Sequence, residues 1–379
     1  MNLETLETPV LSDATPPMVT NGVSQEKRRT IRALARSIPK ACYENPTWKG
    51  LLYLGRDLTV YALGTGLLLA SSSVSLVLAG WFLTSLAIAA LFVIGHDAAH
   101  GSLFKSPRLN YFVGQLAMLP SLHTFSVWAY GHNRVHHAFP GCEGLDFVWH
   151  PVTLEEYQKL SRWEKLRHRM DWSLFGAGTY YTREIWWNRL VNMPPPDKME
   201  RAFLRDRIAV TTFLVVMSVA VGWFGWAQTG TIGGALWTWT KVLFVPWFMW
   251  NALIGWAVYI QHISPQMPWH TRRRWRKYAG QVETTCNYVM PLWLNFFWHN
   301  IFVHVPHHVD PRIPFYNLPD AAKALNKADS DVSQSYPYRF REYFDSTKHC
   351  KLYDFEREAW TDYQGANPVT AADYPPRAA

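Results

Sequence analysis

Four stretches of the chain are apolar over about 20 residues, the length that a helix needs to cross a bilayer. They are residues 51–70, 74–94, 208–226 and 242–260. Arg56 and Asp57 interrupt the first stretch, so we expect it to enter the hydrocarbon only after Asp57. Pro246 predicts a kink in the fourth stretch. The connections at 71–73 and 228–240 are short, which predicts two helical hairpins.

Lysine and arginine are concentrated on one side of the two predicted hairpins. Both hairpin connections lack them, whereas residues 26–40, 162–172 and 272–277 are rich in them. Because basic segments next to membrane spans stay in the cytoplasm, we predict that both termini and the long middle segment are cytosolic. The expected fold is an all-α, multi-pass integral membrane protein, with four transmembrane helices in two hairpins and a cytosolic, histidine-rich catalytic cap.

The composition also indicates a membrane protein. Of the 379 residues, 49% are hydrophobic and only 17% are charged, and there are 20 tryptophans, which favour membrane interfaces. The net charge of +8 is spread over several segments, which fits a membrane surface better than nucleic acid. The four cysteines lie far apart and form no CxxC pair, so we expect neither a disulfide framework nor a thiolate zinc site.

Eight histidines fall into three short clusters, at spacings that let one helical turn present them together. They are His96 and His100 in HDAAH, His132, His136 and His137 in HNRVHH, and His304, His307 and His308 in HVPHH. Neutral imidazoles gain little from crowding and protonated ones repel each other. A metal resolves this conflict because it takes the nitrogen lone pairs. One zinc ion needs only about four ligands, so eight histidines predict two metals.

The metal is not decided by the ligands, since imidazole suits zinc, copper, iron and nickel. Carboxylates that orient the imidazole rings are expected nearby. The candidates for this role are Asp97, Asp146 and Asp310, each close in sequence to a histidine cluster.

Three motifs resemble the histidine boxes of the membrane fatty acid desaturase superfamily. They are GHDAAHGSLF, HNRVHHAFPGCEGLDFVWHPVTLEEY and HNIFVHVPHHVDPRIPFYNL. The resemblance covers residues 59–318 and is closest to the acyl-lipid omega-6 (Δ12-type) desaturases of cyanobacteria and plastids. The first motif is also similar to that of carotenoid ketolases and hydroxylases.

The resemblance implies a non-haem diiron centre, with two iron ions (Fe2+/Fe3+), O2 as oxidant and electrons from an external carrier such as ferredoxin or cytochrome b5. It also implies a ninth ligand, His262 in VYIQHISPQMPWH, and makes His299 a weaker candidate. The complete set of expected metal ligands is His96, His100, His132, His136, His137, His262, His304, His307 and His308.

The resemblance further implies O2-dependent desaturation of a lipid-linked fatty acyl chain, in a narrow apolar tunnel beside the metals. An alkyl C–H has no useful acidity, so we expect no catalytic residue beyond the metal ligands. Two alternatives stay open. One is a diiron hydroxylase or ketolase acting on a carotenoid or alkane, and the other is a zinc-dependent membrane hydrolase.

Three regions are expected along the chain. Residues 1–30 are polar and predict a disordered N-terminal tail, residues 31–345 form the desaturase-like domain, and residues 346–379 form a C-terminal tail. Basic residues at 162–169 and 272–277 lie on the predicted cytosolic side. They predict either a docking face for an acidic electron carrier or a contact with anionic lipid head groups.

Overall fold

The computed structural model describes residues 30–370 and residue 373. The predicted disordered tail therefore lies outside the described residues, apart from Thr30. The α-helices are α1 Ile31–Ser37, α2 Thr47–Ala70, α3 Val74–Ala99, α4 Pro107–Met118, α5 Phe125–Tyr130, α6 Leu154–Lys159, α7 Arg162–Asp171, α8 Ala177–Tyr180, α9 Glu200–Thr229, α10 Ile232–Trp239, α11 Val245–His262, α12 Lys277–Val282, α13 Leu292–Trp298, α14 His304–Val309, α15 Leu318–Ala328 and α16 Phe340–His349.

Shorter elements complete the described fold. Three segments are π-helical, Gly131–His136, Tyr181–Val191 and Thr240–Phe244, and two are 3-10 helices, Lys40–Tyr43 and Phe315–Asn317. The strands are β1 Asn287–Val289, β2 Ser335–Pro337, β3 Leu352–Asp354 and β4 Ala359–Thr361; β1 pairs with β2 in parallel and β3 with β4 antiparallel. The protein is thus mostly helical, as the sequence predicts, with two small two-stranded sheets in the described residues.

Three helices in the described residues are long and apolar enough to cross a membrane. They are Val74–Ala99, Glu200–Thr229 and Ile232–His262, the last of which joins α10, a π-helical turn and α11. The first predicted span is also a helix, α2, but it is not among the three. Arg56 and Asp57 lower its mean hydropathy. Three of the four predicted spans therefore lie in helices that are suited to cross a membrane.

Helices α2 and α3 form the first predicted hairpin, and their close approach depends on a glycine. A Cβ atom at Gly64 would lie 2.6 Å from Thr84 Oγ1, so a larger residue would push the two helices apart. The predicted bounds of the second connection, 228–240, are wrong. The turn is at Gly230, whose φ of 66° is left-handed, and the next helix already begins at Ile232. Pro246 follows the π-helical turn, where its missing N–H removes a helical hydrogen bond.

The segment between α3 and α9 gathers at one end of the apolar helices. Asp206 lies near the start of α9, is fully buried, and accepts hydrogen bonds from the Tyr111 hydroxyl and from the Ser126 backbone N–H, the latter at 3.1 Å. It therefore connects α4 and the start of α5 to α9. The histidine-bearing ends of α3 and α11 lie at this same end, so the fold positions one site there.

The described part of the predicted C-terminal tail is folded onto the domain. Cys350 is 0% exposed, and Tyr353 and Trp360 are 1% exposed. The Tyr353 hydroxyl accepts a hydrogen bond of 2.9 Å from the backbone N–H of Trp269. The expectation of a tail is wrong for this part, because buried aromatic side chains in β3 and β4 pack into the core. All four cysteines are free, as predicted.

Candidate metal centre

The first two histidine clusters are brought together by an α-helix end and a π-helical segment. His96 lies in the last turn of α3, and His100 is its C-cap, so the two side chains share one face. His132 and His136 lie in the π-helix Gly131–His136, where His137 N–H bonds to His132 O at 2.9 Å, five residues back. Sequence spacing predicted ordinary helical geometry here. Such π-helical turns are frequent at functional sites.

The third cluster is on a short helix that tolerates its proline. Helix α14 begins at His304, and Pro306 falls in its first turn, where a missing N–H costs nothing. His307 and His308 follow His304 by three and four residues, and all three side chains are buried. His262 is the last residue of α11. Four elements therefore direct histidines towards one point.

Eight of the histidines form two groups with the spacing of metal sites. In each group the imidazole nitrogens that could act as ligands lie within 4.8 Å of one another. The larger group is His96, His100, His132, His137 and His307, and the smaller group is His136, His262 and His308. Several Nε2 atoms of the larger group nearly touch. The distance is 3.1 Å from His132 to His96, 3.0 Å from His137 to His132, and 3.0 Å from His307 to His137.

His304 lies at the boundary of the two groups. Its ring centroid is 5.2 Å from that of His262, 5.1 Å from that of His307 and 4.7 Å from that of His308. All nine histidines that the sequence analysis named are thus gathered in one cluster.

Two carboxylates orient rings of this cluster, as the sequence analysis predicted. His96 Nδ1 donates to Asp97 Oδ1 at 3.0 Å, and His136 Nδ1 donates to Asp146 Oδ1 at 3.1 Å. Both carboxylates are themselves held by backbone N–H groups, from Phe315 to Asp97 and from two loop residues to Asp146. This bonding places the proton on Nδ1 and turns the Nε2 lone pair into the cluster.

Three further rings are anchored by neutral acceptors. His262 and His304 donate from Nδ1 to backbone carbonyl oxygens, of Thr284 and Ile301, both at 3.1 Å. His308 Nδ1 donates to Gln281 Oε1 at 3.1 Å, and Gln281 Nε2 donates to the His137 carbonyl at 2.6 Å. Sequence analysis missed Gln281, because nothing in its local pattern marks it.

Asp146→Asn is expected to weaken metal binding about 10- to 100-fold, because the amide cannot reproduce the carboxylate's hold on His136. Metal affinity measured by competition with a chelator checks this. Asp310→Asn is the matched control and should leave the affinity unchanged. An unchanged affinity in the Asp146 variant would contradict the assigned role.

The third predicted carboxylate, Asp310, has a different role. It accepts hydrogen bonds from the Tyr43 hydroxyl at 3.0 Å and from Arg312 Nη2 at 2.7 Å, and none of its hydrogen bonds is to a histidine. Asp310 is the C-cap of α14 and has an extended backbone, so its side chain does not point the same way as those of His307 and His308. The prediction that it orients an imidazole is wrong.

The weaker candidate, His299, pairs with the charges of α2. Its Nε2 donates to Asp57 Oδ2 at 2.7 Å, and Asp57 also accepts from Arg56 at 2.8 Å. His299 and Asp57 are 3% and 1% exposed. The charges that interrupt the first apolar stretch therefore have a structural function, which is to attach α2 to the segment before α14.

His299→Ala is expected to lower the free energy of unfolding by about 2 kcal/mol, because it leaves a buried carboxylate without one of its partners. Metal content should stay normal. Thermal unfolding and elemental analysis of the same preparation separate the two effects, and loss of metal without loss of stability would make His299 a ligand instead.

The histidine cluster fits a metal better than protons. Burial holds the pKa of His132, His137, His307 and His308 well below 6.5, and repulsion between neighbouring imidazoles lowers it further. The rings are therefore neutral, and their lone pairs are available. The buried Nε2 atoms of His100 and His308 have no hydrogen-bond partner, which is costly unless a ligand uses them. A set of neutral nitrogen donors of this kind suits iron, copper or zinc.

An apolar cavity lies against the histidines. Its volume is about 70 Å3, so it is a narrow space. Five histidines contribute to its wall, namely His96, His132, His136, His262 and His304. The other lining residues are almost all apolar, and Trp128, Phe92, Trp298 and Val258 are among them. The arrangement places a narrow apolar space beside a candidate metal centre.

Known proteins similar to this chain are desaturases. A family model described as fatty acid desaturase matches residues 72–340, which include all nine histidines. The chain is 27% identical over 337 residues to a chloroplastic omega-6 fatty acid desaturase of Glycine max, covering 86% of this chain and 74% of the relative. It is 29% identical over 331 residues to the enzyme of the same name from Arabidopsis thaliana, covering 86% and 70%. It is 27% identical over 350 residues to an sn-1 oleoyl-lipid 12-desaturase of Picosynechococcus sp., covering 90% and 94%.

Proposed function

Because the chain belongs to the fatty acid desaturase family, and is therefore an oxidoreductase, we propose that it introduces a cis double bond into a lipid-linked fatty acyl chain. We propose the omega-6 or Δ12 position for the double bond, since relatives named for these positions align with most of the chain. The observation that carries the proposal is an apolar cavity beside the cluster of nine histidines, five of which form part of its wall.

The nine histidines would hold two iron ions. The first iron would be held by the larger group, His96, His100, His132, His137 and His307, and the second by His136, His262 and His308 together with His304. When bound, the iron pair supplies the O2-dependent oxidation that an acid or base cannot perform on an alkyl C–H. The protein's own residues orient the nitrogens, through Asp97, Asp146 and Gln281.

The cavity determines which carbons react. Its apolar walls bind the methylene groups of the acyl chain, and the histidine wall fixes which neighbouring pair faces the centre. The overall reaction converts CH2–CH2, O2, two electrons and two protons into CH=CH and two water molecules. Two C–H bonds break, the carbon pair is oxidised by two electrons, and O2 accepts these together with the two supplied electrons.

The membrane arrangement follows from the apolar helices. We place the protein in the bilayer as a multi-pass protein through Val74–Ala99, Glu200–Thr229 and Ile232–His262, with α2 as the fourth span. The histidine-bearing end faces the cytosol, because the basic segments lie on that side of the hairpins. This arrangement gives soluble electron carriers access to the centre. Ferredoxin and cytochrome b5 are carriers of the required kind.

Expression in a host with a simple fatty acid profile tests the function. Mass spectrometry that locates double bonds should find new cis double bonds at the Δ12 or omega-6 position in lipid-bound acyl chains. Hydroxylated or ketolated products without new double bonds would contradict desaturation and favour the oxygenase alternative. If the iron-loaded protein formed no oxidised product with a working carrier, both desaturation and the oxygenase alternative would be contradicted.

A further inference from the structure

A basic groove lies on the surface directly above the histidine cluster. It is formed by α1, the start of α12 and the segment after α14, and its lining includes Arg32, Ala35, Lys277, Tyr278, Asp310 and Arg312. Arg32 and Lys277 are exposed, and the Arg312 side chain is 74% exposed. Among the described residues that line the groove, Asp310 is the one acidic residue, and it is buried and bonded to Arg312 and Tyr43. The rim of the groove therefore presents positive charge.

The groove is separated from the metal ligands by one helical turn. Lys277 at the rim is the first residue of α12, and Gln281, four residues later, accepts from His308 Nδ1 and donates to the His137 carbonyl. On the other wall, Val309 and Asp310 directly follow His308. Short covalent and hydrogen-bonded routes thus join the groove to ligands of both proposed irons.

We propose that this groove is the docking site of an acidic, one-electron carrier protein. The inference rests on the proposed function, which needs two electrons from outside the chain. Two reduced carriers dock in turn, and each is oxidised by one electron that passes through α12 to the centre, while protons come from solvent. The positive rim steers the acidic carrier and aligns it over the shortest route.

The surroundings of the groove favour a soluble protein over lipid head groups. Helix α7, the other basic segment, carries arginines beside strongly exposed apolar side chains, with Trp163 at 80% and Met170 at 55%. That combination is typical of a surface that lies on a membrane. The apolar residues of the groove, Ile31, Ala35 and Val309, are buried or half-buried, so the groove offers charge without an apolar anchor.

Two arginines of the basic stretch 272–277 are bonded to backbone carbonyls outside the groove. Arg272 donates to the carbonyl of Gly144 at 3.1 Å, and Arg274 donates to the carbonyl of Glu356 at 3.0 Å. These two arginines hold the loop to its neighbours, and reversing their charge would damage the fold. The cations suited to a docking test are therefore Arg32 and Lys277.

The test compares two double charge reversals in the full, iron-loaded protein in nanodiscs of neutral lipid. Arg32→Glu with Lys277→Glu changes the groove, and Lys105→Glu with Lys348→Glu makes the same charge change at exposed positions outside it. The probe is an acidic [2Fe–2S] ferredoxin, with cytochrome b5 as a second probe. We expect the groove variant to bind the carrier on the order of tenfold more weakly at low salt, and the control to bind normally. Near 1 M salt, where the Debye length is about 3 Å, the difference should vanish.

A carrier-free measurement separates docking from chemistry. Enzyme reduced chemically and then exposed to O2 should form the same single-turnover product in both double variants and the wild type. Equal carrier binding by the groove and control variants would overturn the docking site, even if desaturation is confirmed. Loss of preference for anionic nanodiscs by the groove variant, with carrier binding intact, would assign the groove to lipid head groups. Wild-type carrier binding without any single-turnover product would instead contradict the proposed function.

Discussion

Alanine in place of His100, His136, His262 or His308 should abolish desaturation while the protein still inserts into the membrane. Each ring belongs to one of the two histidine groups, and each is buried or partly buried among the others. Loss of a residue that only orients a ligand typically costs 10- to 100-fold, so loss of the ligand itself should cost more than about 100-fold. Product formation per membrane-inserted protein, with metal content measured in parallel, checks this.

The control for these variants is His349→Ala. His349 ends α16 and belongs to neither histidine group, so its replacement should leave activity and metal content near normal. Full turnover by two or more of the cluster variants would contradict the diiron assignment. Normal activity and iron in the His262 variant alone would give that residue a packing role.

A second large effect is expected from filling the cavity. Val258→Phe adds a ring to the wall beside the histidines without replacing a histidine. Because the acyl chain must lie in this space, the variant should keep its metal and lose about 100-fold in turnover, or move the double bond along the chain. The product distribution and metal content of the purified variant measure both outcomes.

Leu253→Phe is the matched control for the cavity variant. Leu253 lies on the same helix and packs against the core, but it does not line the cavity. It should change stability slightly and leave the product unchanged. If the Val258 variant kept both the wild-type rate and the double-bond position, the acyl chain would lie elsewhere.

The parts of this structure that sequence could predict are local. Helix α3 is strongly apolar and carries no charged residue before His96, so its existence and its histidine-bearing end follow from hydropathy alone. The three clusters could be recognised because their spacing of three and four residues already suggests a shared face. His262 has no such local neighbour, and only the family resemblance indicated it.

Other features depend on tertiary contacts that leave no local signal. Asp57 and His299 pair across 242 residues, and nothing near Asp57 shows that its partner exists. The second hairpin turn is shorter than the predicted connection 228–240, because residues 232–239 already form α10. Asp310 was misassigned because closeness in sequence to His308 does not reveal which way a helix cap points.

The metal content of the purified protein tests the central claim most directly. Elemental analysis of protein expressed with adequate iron should give two irons per chain, as the two histidine groups require. The cluster variants should lose iron, and the His349 variant should keep it. A single zinc per chain, with no iron and no loss in the cluster variants, would contradict the diiron centre and the oxidation chemistry that depends on it.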